Sequence, residues 1–390
     1  MIKPVIVAVG YNRPDSMKRL LTSIVNAYYP FDGIDLIISI DESSKSDEVQ
    51  KVAESFIWNQ GEKIIKRYPE RQGLRRHIIQ CGDLSEKYGA VIILEDDLVV
   101  SRSFYLYTYE AVNYYAGNPK VAGVSLYSHA WNGYANTQFL PVKNEFDVYF
   151  GQYGISWGQC WTYNQWNNFK NWYFVHADKL PEKNYAMPSA ILRWSAQSWG
   201  KYFTSFIVVN DLYYIMPYTA MSTNFSEAGQ HNSITDTTHQ VSLQQGKKVN
   251  YKFPEWENGI KYDIFFERIF ERDIAGIPAN DICVNLNGMK LDTLGRKYIL
   301  TTGKQNHTEN IASFGIVMRP IDANIDYNIS GNDIFLYNVD GNDEFSEYDL
   351  SKTRALYETY HFSWKFLLKV GYLKLRSAVK TKLKRMLKNR

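Results

Sequence analysis

The run VIILEDDLVV at residues 91–100 sets three adjacent carboxylates, Glu95, Asp96 and Asp97, between two apolar stretches. Like charges repel and resist desolvation, so a triplet at the tip of a buried strand needs a counter-charge. Hard oxygen donors beside a loop suit a divalent cation, Mn2+ or Mg2+. Mg2+ characteristically takes one or two carboxylates and completes its shell with phosphate oxygens. The pattern points to a cation-bridged nucleoside diphosphate, with a merely solvated acidic loop as the competing reading. Arg71, Arg75 and Arg76 flank Gly73 where a helix opens. Guanidinium forks and free backbone N–H groups both favour phosphate there, although a solvated basic helix face has the same sequence. The belt GISWGQCWTYNQWNNFKNWYF, 154–174, spaces Trp157 and Trp161 four apart, as on one helical face. Most of these rings are expected in the core, with Trp157 as the contact for a stacked sugar.

Composition narrows the class. A charged content of 22% and a hydrophobic content of 45% are those of a globular chain, while the aromatic content of 15% is high. A length of 390 residues suits one large domain with appendages, or two domains. Cys81, Cys160 and Cys283 are odd in number and far apart, so neither a disulfide framework nor a zinc site is expected, which fits a reducing compartment. The opening MIKPVIVAVGY enters an apolar strand without a basic leader, and no run approaches the length of a membrane span. The expectation is a cytosolic protein.

Charge is unevenly spread. Residues 364–390 carry ten Lys and Arg and no Asp or Glu, so the rest of the chain is net acidic. In that tail Trp364, Leu368, Tyr372, Leu375, Val379, Leu383 and Met386 recur every three or four residues, an apolar helical stripe among cations. Such a helix suits an anionic membrane surface, which would place the protein peripherally on the inner face of the cell membrane. A coiled coil or a partner-binding helix shares the pattern. Nucleic acid is disfavoured by the acidic body and the lack of a nucleic-acid module.

Elements must position these residues. Residues 5–9 read as a strand, and Pro14 with Met17, Leu20, Leu21 and Ile24 as a helix. Residues 35–40 repeat the strand signal and end at Asp41. A helix through Val49 and Ala53, a strand at 63–68, a helix from Gly73, a strand at 90–94, a helix at 104–115 and a strand at 121–126 follow. This alternation predicts an α/β fold, a Rossmann-like, mostly parallel sheet with helices on both faces. Ligands then sit at the carboxyl ends of the strands, where Asp41 and the triplet fall. Residues 1–250 are assigned to this domain, with a donor half at 1–126 and an acceptor half at 127–250. Residues 251–345 are expected to form a small β-rich appendage, and 350–390 a basic helical tail.

On these residues the sequence resembles the nucleotide-sugar glycosyltransferases of the GT-A fold. It is most similar to N-acetylglucosaminyltransferase I and to bacterial family 2-like enzymes of surface-polysaccharide synthesis. GAVIILEDDLVVSRSFYLY, 89–107, looks like the family's strand, EDDL motif and following helix, and VIVAVGYNRPDSMKRLLTSI like its first strand and helix. The resemblance implies that Asp97 binds the metal while Glu95 and Asp96 approach sugar and ribose. It also implies that Asp41 contacts the nucleoside and that the loop with Val9, Tyr11 and Arg13 lines the uracil pocket of a UDP-sugar. MSTNFSEAGQHNS, 221–233, resembles a donor-closing loop, which makes His231 a second metal or diphosphate ligand.

One departure concerns the base. The family's catalytic Asp would align with 188–194, which holds no carboxylate. An inverting transfer to a glycan or lipid-linked acceptor needs a group that takes the hydroxyl proton, and Glu227 and Asp211 are the candidates. A retaining reaction would need neither. A nucleotidyltransferase would share the acidic ligands, but the first loop lacks the Gly-rich phosphate run of that class. A degenerate domain that binds carbohydrate or serves as a scaffold without turnover is the non-enzymatic alternative.

Overall fold

The computed structural model describes residues 1–154, 156–177, 180, 186–225, 227, 237–304, 309–339 and 363–388, with side chains of the last segment to 380. His231 lies outside the described residues. The chain divides into two compact units, Met1–Phe345 and Ser346–Arg390.

The first unit begins with the expected alternation: β1 (Val5–Gly10), α1 (Pro14–Val25), β2 (Leu36–Ile40), α2 (Ser46–Ser55), β3 (Lys63–Arg67), α3 (Leu74–Gly82), the short α4 (Ser85–Tyr88) and β4 (Ala90–Glu95). β5 (Leu98–Val100), α5 (Phe104–Tyr115), β6 (Val121–Ser125), a hairpin of β7 (Trp131–Asn132) and β8 (Thr137–Gln138), and β9 (Val148–Gly151) come next. Then follow β10 (Gln159–Thr162), α6 (Tyr163–His176), the short α7 (Ser189–Leu192), α8 (Trp199–Val209), β11 (Tyr213–Pro217) and β12 (Ser222–Asn224). After these come β13 (Lys261–Tyr262), β14 (Arg268–Ile269), β15 (Ile282–Asn285), β16 (Tyr298–Thr301), β17 (Glu309–Phe314), the short α9 (Ala323–Asp326) and β18 (Ile334–Asn338).

Ten strands form one sheet in the order β14-β13-β9-β11-β6-β10-β4-β1-β2-β3. β3, β2, β1 and β4 are parallel in register, whereas β10 runs antiparallel to both β4 and β6. The sheet is therefore mixed, with most strands pointing one way. Alternate residues explain the apolar runs. Ile6, Ala8, Ile38, Ile92 and Leu94 pack with side chains of α1, α2 and α5 on one face. Val5, Val7, Ile37, Val91 and Ile93 pack with those of α3, α6 and α8 on the other. Strands buried on both faces have no polar side to show.

Two sequence expectations change here. The Trp157–Trp161 spacing is not helical: residues 159–162 are β10, and the helix starts at Tyr163 behind a capping box of Thr162 and Gln165. Trp161 is fully buried and donates from Nε1 to the Tyr214 hydroxyl at 2.8 Å. The β-rich region starts later than expected. β13 and β14 extend the large sheet, and a separate four-stranded sheet, β15-β16-β18-β17, spans Ile282 to Asn338. Polar contacts join the two sheets: Tyr262 donates to Asp322 at 2.7 Å, and Lys290 pairs with Asp263 at 2.5 Å.

The second unit contains a helix, Trp364–Lys388. Trp364, Leu368, Tyr372, Leu375 and Val379 of the expected stripe are exposed, but so are Phe366, Leu367 and Leu373 on other sides. Apolar residues thus surround the first half of the helix instead of forming one clean face. Among the described residues, no helix is long and apolar enough to cross a membrane.

His77 of α3 is buried, with Nε2 2.7 Å from Ser39 Oγ of β2. Burial lowers its pKa from 6.5 to about 4, with Lys66 adding to the fall and Asp41 opposing it. The unfolded chain therefore binds a proton near pH 6.5 that the folded chain refuses until about pH 4. The His77 contribution is complete above the unfolded value and is lost as pH drops through this window. In His77→Gln, the fall in unfolding free energy between pH 6.5 and 4.5 should be shallower than in the parent by about 2 kcal/mol, measured by urea titration.

Candidate functional site

The strand order reverses at β1. The chain proceeds outward through β2 and β3, then returns to place β4 on the other side of β1. The loops leaving β1 and β4 consequently part from each other and open a crevice, the ligand position of open α/β sheets. Val9, Tyr11 and Arg13 lie on one side of it, and Glu95, Asp96 and Asp97 on the other.

Although adjacent in sequence, the three carboxylates do not act alike. Glu95 continues the β4 face that carries Val91 and Ile93, the face covered by α8. Its Oε1 is buried without a hydrogen-bond partner. Burial, with the charges of Asp97 and Asp96, pushes its carboxyl well above the usual range, while Arg13 and the Trp199 side chain pull it back. Asp96 is 4% exposed, and its Oδ1 accepts from Arg13 Nη2. Burial raises Asp96 to about 6 against the opposing pull of Arg13, and its Oδ2 has no partner. Asp97 is the open member. Its side chain is 30% exposed, with Oδ2 3.5 Å from Arg13.

This geometry revises the expected roles of Arg13 and Asp96. Arg13 is spent on the carboxylates instead of lining a base pocket, and Asp96 is withdrawn from the open crevice by burial and that ion pair. Asp41 is also committed elsewhere. At 3% exposure it accepts from the backbone N–H groups of Glu42 (2.9 Å), Gln72 (2.6 Å) and Gly73 (2.9 Å). It anchors the turn into α3, where Gly73 has φ +74. Tyr11 lies under the Arg71 guanidinium at 5.3 Å, and Val9 is buried. Arg75 donates to the Tyr202 hydroxyl at 2.9 Å, which turns it toward α8.

The two candidate bases separate. Asp211 precedes β11, whose direction matches that of β6 and β4, so it lies at the opposite edge of the sheet from the triplet. There it pairs with Lys120 at 2.6 Å and accepts from Tyr213 and Gln152. The structure thus does not bring Asp211 together with the triplet. Glu227 does come to the crevice. β12 pairs antiparallel with β5, and Phe225 N donates to Asp97 O at 2.8 Å, close to where Glu227 meets the start of α1. The Glu227 carboxylate accepts from Ser16 Oγ (2.7 Å) and Arg19 Nη2 (2.8 Å). The Arg19 hydrogen bond above all lowers its pKa, which weakens it as a proton acceptor.

Trp157 is also on the triplet's edge, because β10 is antiparallel and begins where β4 ends. Gly158, with φ +94, makes the turn, and a Cβ there would crowd Ser222 and Leu126. The Trp157 ring lies 4.7 Å from Tyr127 and 5.1 Å from His239, half-buried in an aromatic cluster and not an open platform. Sequence reading missed His129 in this cluster. It contacts Tyr127, Tyr153 and Phe266 at 5.0, 5.0 and 5.1 Å, and its buried Nε2 has no hydrogen-bond partner. Burial lowers its pKa to about 3, so it presents a neutral imidazole.

The oxygen donors suit a hard cation, and Asp97 is open to the crevice. Among the described residues, however, no three His, Cys, Asp or Glu side chains converge as a complete metal cage. The set fits an ion held by Asp97 and completed by ligand oxygens.

Comparison with known proteins gives distant structural likeness. S. aureus TarS 1–349, solved in complex with UDP-GlcNAc, matches with a TM-score of 0.39 and 12% identity over 59% of this chain and 60% of that one. The mannosyltransferase PcManGT from Pyrobaculum calidifontis, solved with GDP-Man and Mn2+, matches at 0.31 and 14% over 44% and 47%. A cytidylyltransferase from Leptospira borgpetersenii matches at 0.26 and 9% over 44% and 65%. Each alignment spans less than two thirds of the matched chain. No family model matches, and no curated protein matches in sequence. Likeness at this level leaves the function to be argued from the site.

Asp41→Ala should leave the Gln72 and Gly73 amides without their acceptor and lower stability by about 2–4 kcal/mol. Unchanged urea unfolding would show that the α3 turn does not depend on this carboxylate.

Proposed function

We propose that this chain is a glycosyltransferase of the GT-A kind that moves a hexosyl or N-acetylhexosaminyl group from a UDP-sugar to a glycan or lipid-linked glycan. The setting we infer is bacterial surface-polysaccharide synthesis, with inversion at the sugar. The observation that carries the reading is Asp97, an open carboxylate at the carboxyl end of β4 in the switch-point crevice, with Arg13 opposite it. Asp97 would hold Mn2+ or Mg2+, with Glu95 deeper in the site, and the bound ion would stabilise the departing diphosphate. Tyr11 and Val9 border the donor side. Trp157, with the neutral His129 packed 6.3 Å behind it, supports an acceptor recess. Capsule or lipopolysaccharide is the polymer class we expect.

One observation favours a second reading, carbohydrate binding or scaffolding without turnover. Glu227 is restrained by Arg19 and Ser16, and Asp211 is at the wrong edge. One experiment separates the two: UDP-sugars with and without Mn2+, read by thermal shift and by release of UDP. A transferase should show a Mn2+-dependent shift and slow UDP release, and Asp97→Ala should lose both while its unliganded midpoint stays within ~2 °C. A shift without release supports the binding reading, and neither signal in the parent protein rejects the transferase. A shift that persists in Asp97→Ala moves the cation elsewhere.

The helix Trp364–Lys388 supports peripheral attachment to the cytoplasmic face of the cell membrane, since its exposed aromatics and aliphatics lie among cations with no acidic residue. The intact chain should co-sediment with phosphatidylserine-containing vesicles, not with neutral ones, and should be released by salt. Vesicle binding that survives removal of residues 364–390 would reject this role.

A further inference from the structure

The contacts of Arg13 are unequal, and the inequality has chemical consequences. Arg13 is fixed at the start of α1, where Pro14 opens the helix and Met17 N donates to Arg13 O at 3.0 Å. Its guanidinium is thereby held across the crevice, 26% exposed. Toward Asp96 it meets a carboxylate almost removed from water, which needs a permanent counter-charge to stay ionised. Toward Asp97 the separation is 3.5 Å and the carboxylate is open, so that contact is long, solvated and cheap to release.

We propose that Arg13 is a built-in counter-cation that competes with the divalent metal for Asp97, so that tight metal binding requires a phosphate-bearing ligand. The inference rests on the reading of Asp97 as the metal carboxylate, and extends it to the order of assembly. A dication approaching Asp97 enters the field of a guanidinium that Asp96 neutralises only in part. Alone, it must displace the Arg13–Asp97 contact and bear the repulsion. A diphosphate changes the balance, because its oxygens complete the metal's shell and accept from the released guanidinium fork. Asp96 in this scheme is a positioning residue. It keeps Arg13 in the crevice whether Asp97 is bound to the fork or to the ion, which accounts for an acidic residue placed where no ligand can reach it freely.

The test measures Mn2+ alone on the full chain, by loss of the free-ion electron paramagnetic resonance signal, without nucleotide. Arg13→Lys keeps a charge for Asp96 but loses the fork and part of the reach; Arg13→Gln removes the charge. Mn2+ affinity should rise from the parent through Arg13→Lys to Arg13→Gln, by at least ~10-fold overall. Asp97→Asn in the Arg13→Lys background should abolish the gain, which assigns it to this carboxylate. Added UDP should tighten Mn2+ binding far more in the parent than in Arg13→Gln. Should Arg13→Gln fail to fold, Arg13→Lys alone decides the direction. Equal or weaker Mn2+ binding in the substituted proteins overturns the proposal, as does a gain that survives Asp97→Asn. Failure of the transferase reading is distinguishable, because it appears as absent UDP release, whereas the Mn2+ titration contains no donor.

Discussion

A sheet covered by helices on both faces has room for charge only at the ends of its strands. In β1, β2 and β4 nearly every side chain is buried, so the first residues able to ionise are those that terminate each strand. Asp41 and the triplet stand at those termini for that reason. Their environments then diverge according to what packs beside them. Asp41 meets the amides of an incoming helix and becomes structural. Glu95 stays on the face under α8, only partly exposed, and resists ionisation, Asp96 is buried and balanced by Arg13, and Asp97 keeps an opening to the crevice.

The strands β1, β2 and β4 were legible because parallel strands buried on both faces read as unbroken apolar runs separated by helical spacing, while β3, a half-exposed edge strand, showed only Ile64 and Ile65. The same rule failed for β10. Its four residues, Gln159 to Thr162, are too short to carry a pattern, and the four-residue interval between Trp157 and Trp161 imitates a helix. β13 and β14, two residues each, carry no periodic signal at all, so their place in the large sheet depends on the pairing of β13 with β9 and of β14 with β13, which sequence does not reveal.

The site was legible as a location and less so as a set of roles. A carboxylate's sequence position does not say what will be its partner after folding. Arg13 is 83 residues from Asp96, and Glu227 is 208 residues from Arg19. Asp211 failed for another reason, since a residue before a strand and one after it lie at opposite edges and only the strand's direction tells them apart. His129 left no motif; the sole hint was a histidine shortly after a strand aimed at the same edge as the triplet.

The antiparallel entry of β10 divides the crevice by the stretch of sequence that supplies each part. The acidic wall and its guanidinium come from residues 11–97, whereas the aromatic recess is assembled from Tyr127, His129, Tyr153, Trp157 and Phe266. Their loops are tied to the backbone that carries Asp97 through β12, because Ser222 Oγ donates to the Trp157 carbonyl and Phe225 N donates to the Asp97 carbonyl. The two halves are therefore mechanically coupled, and a shift of the Trp157 loop is passed along β12 to the strand pair beside Asp97.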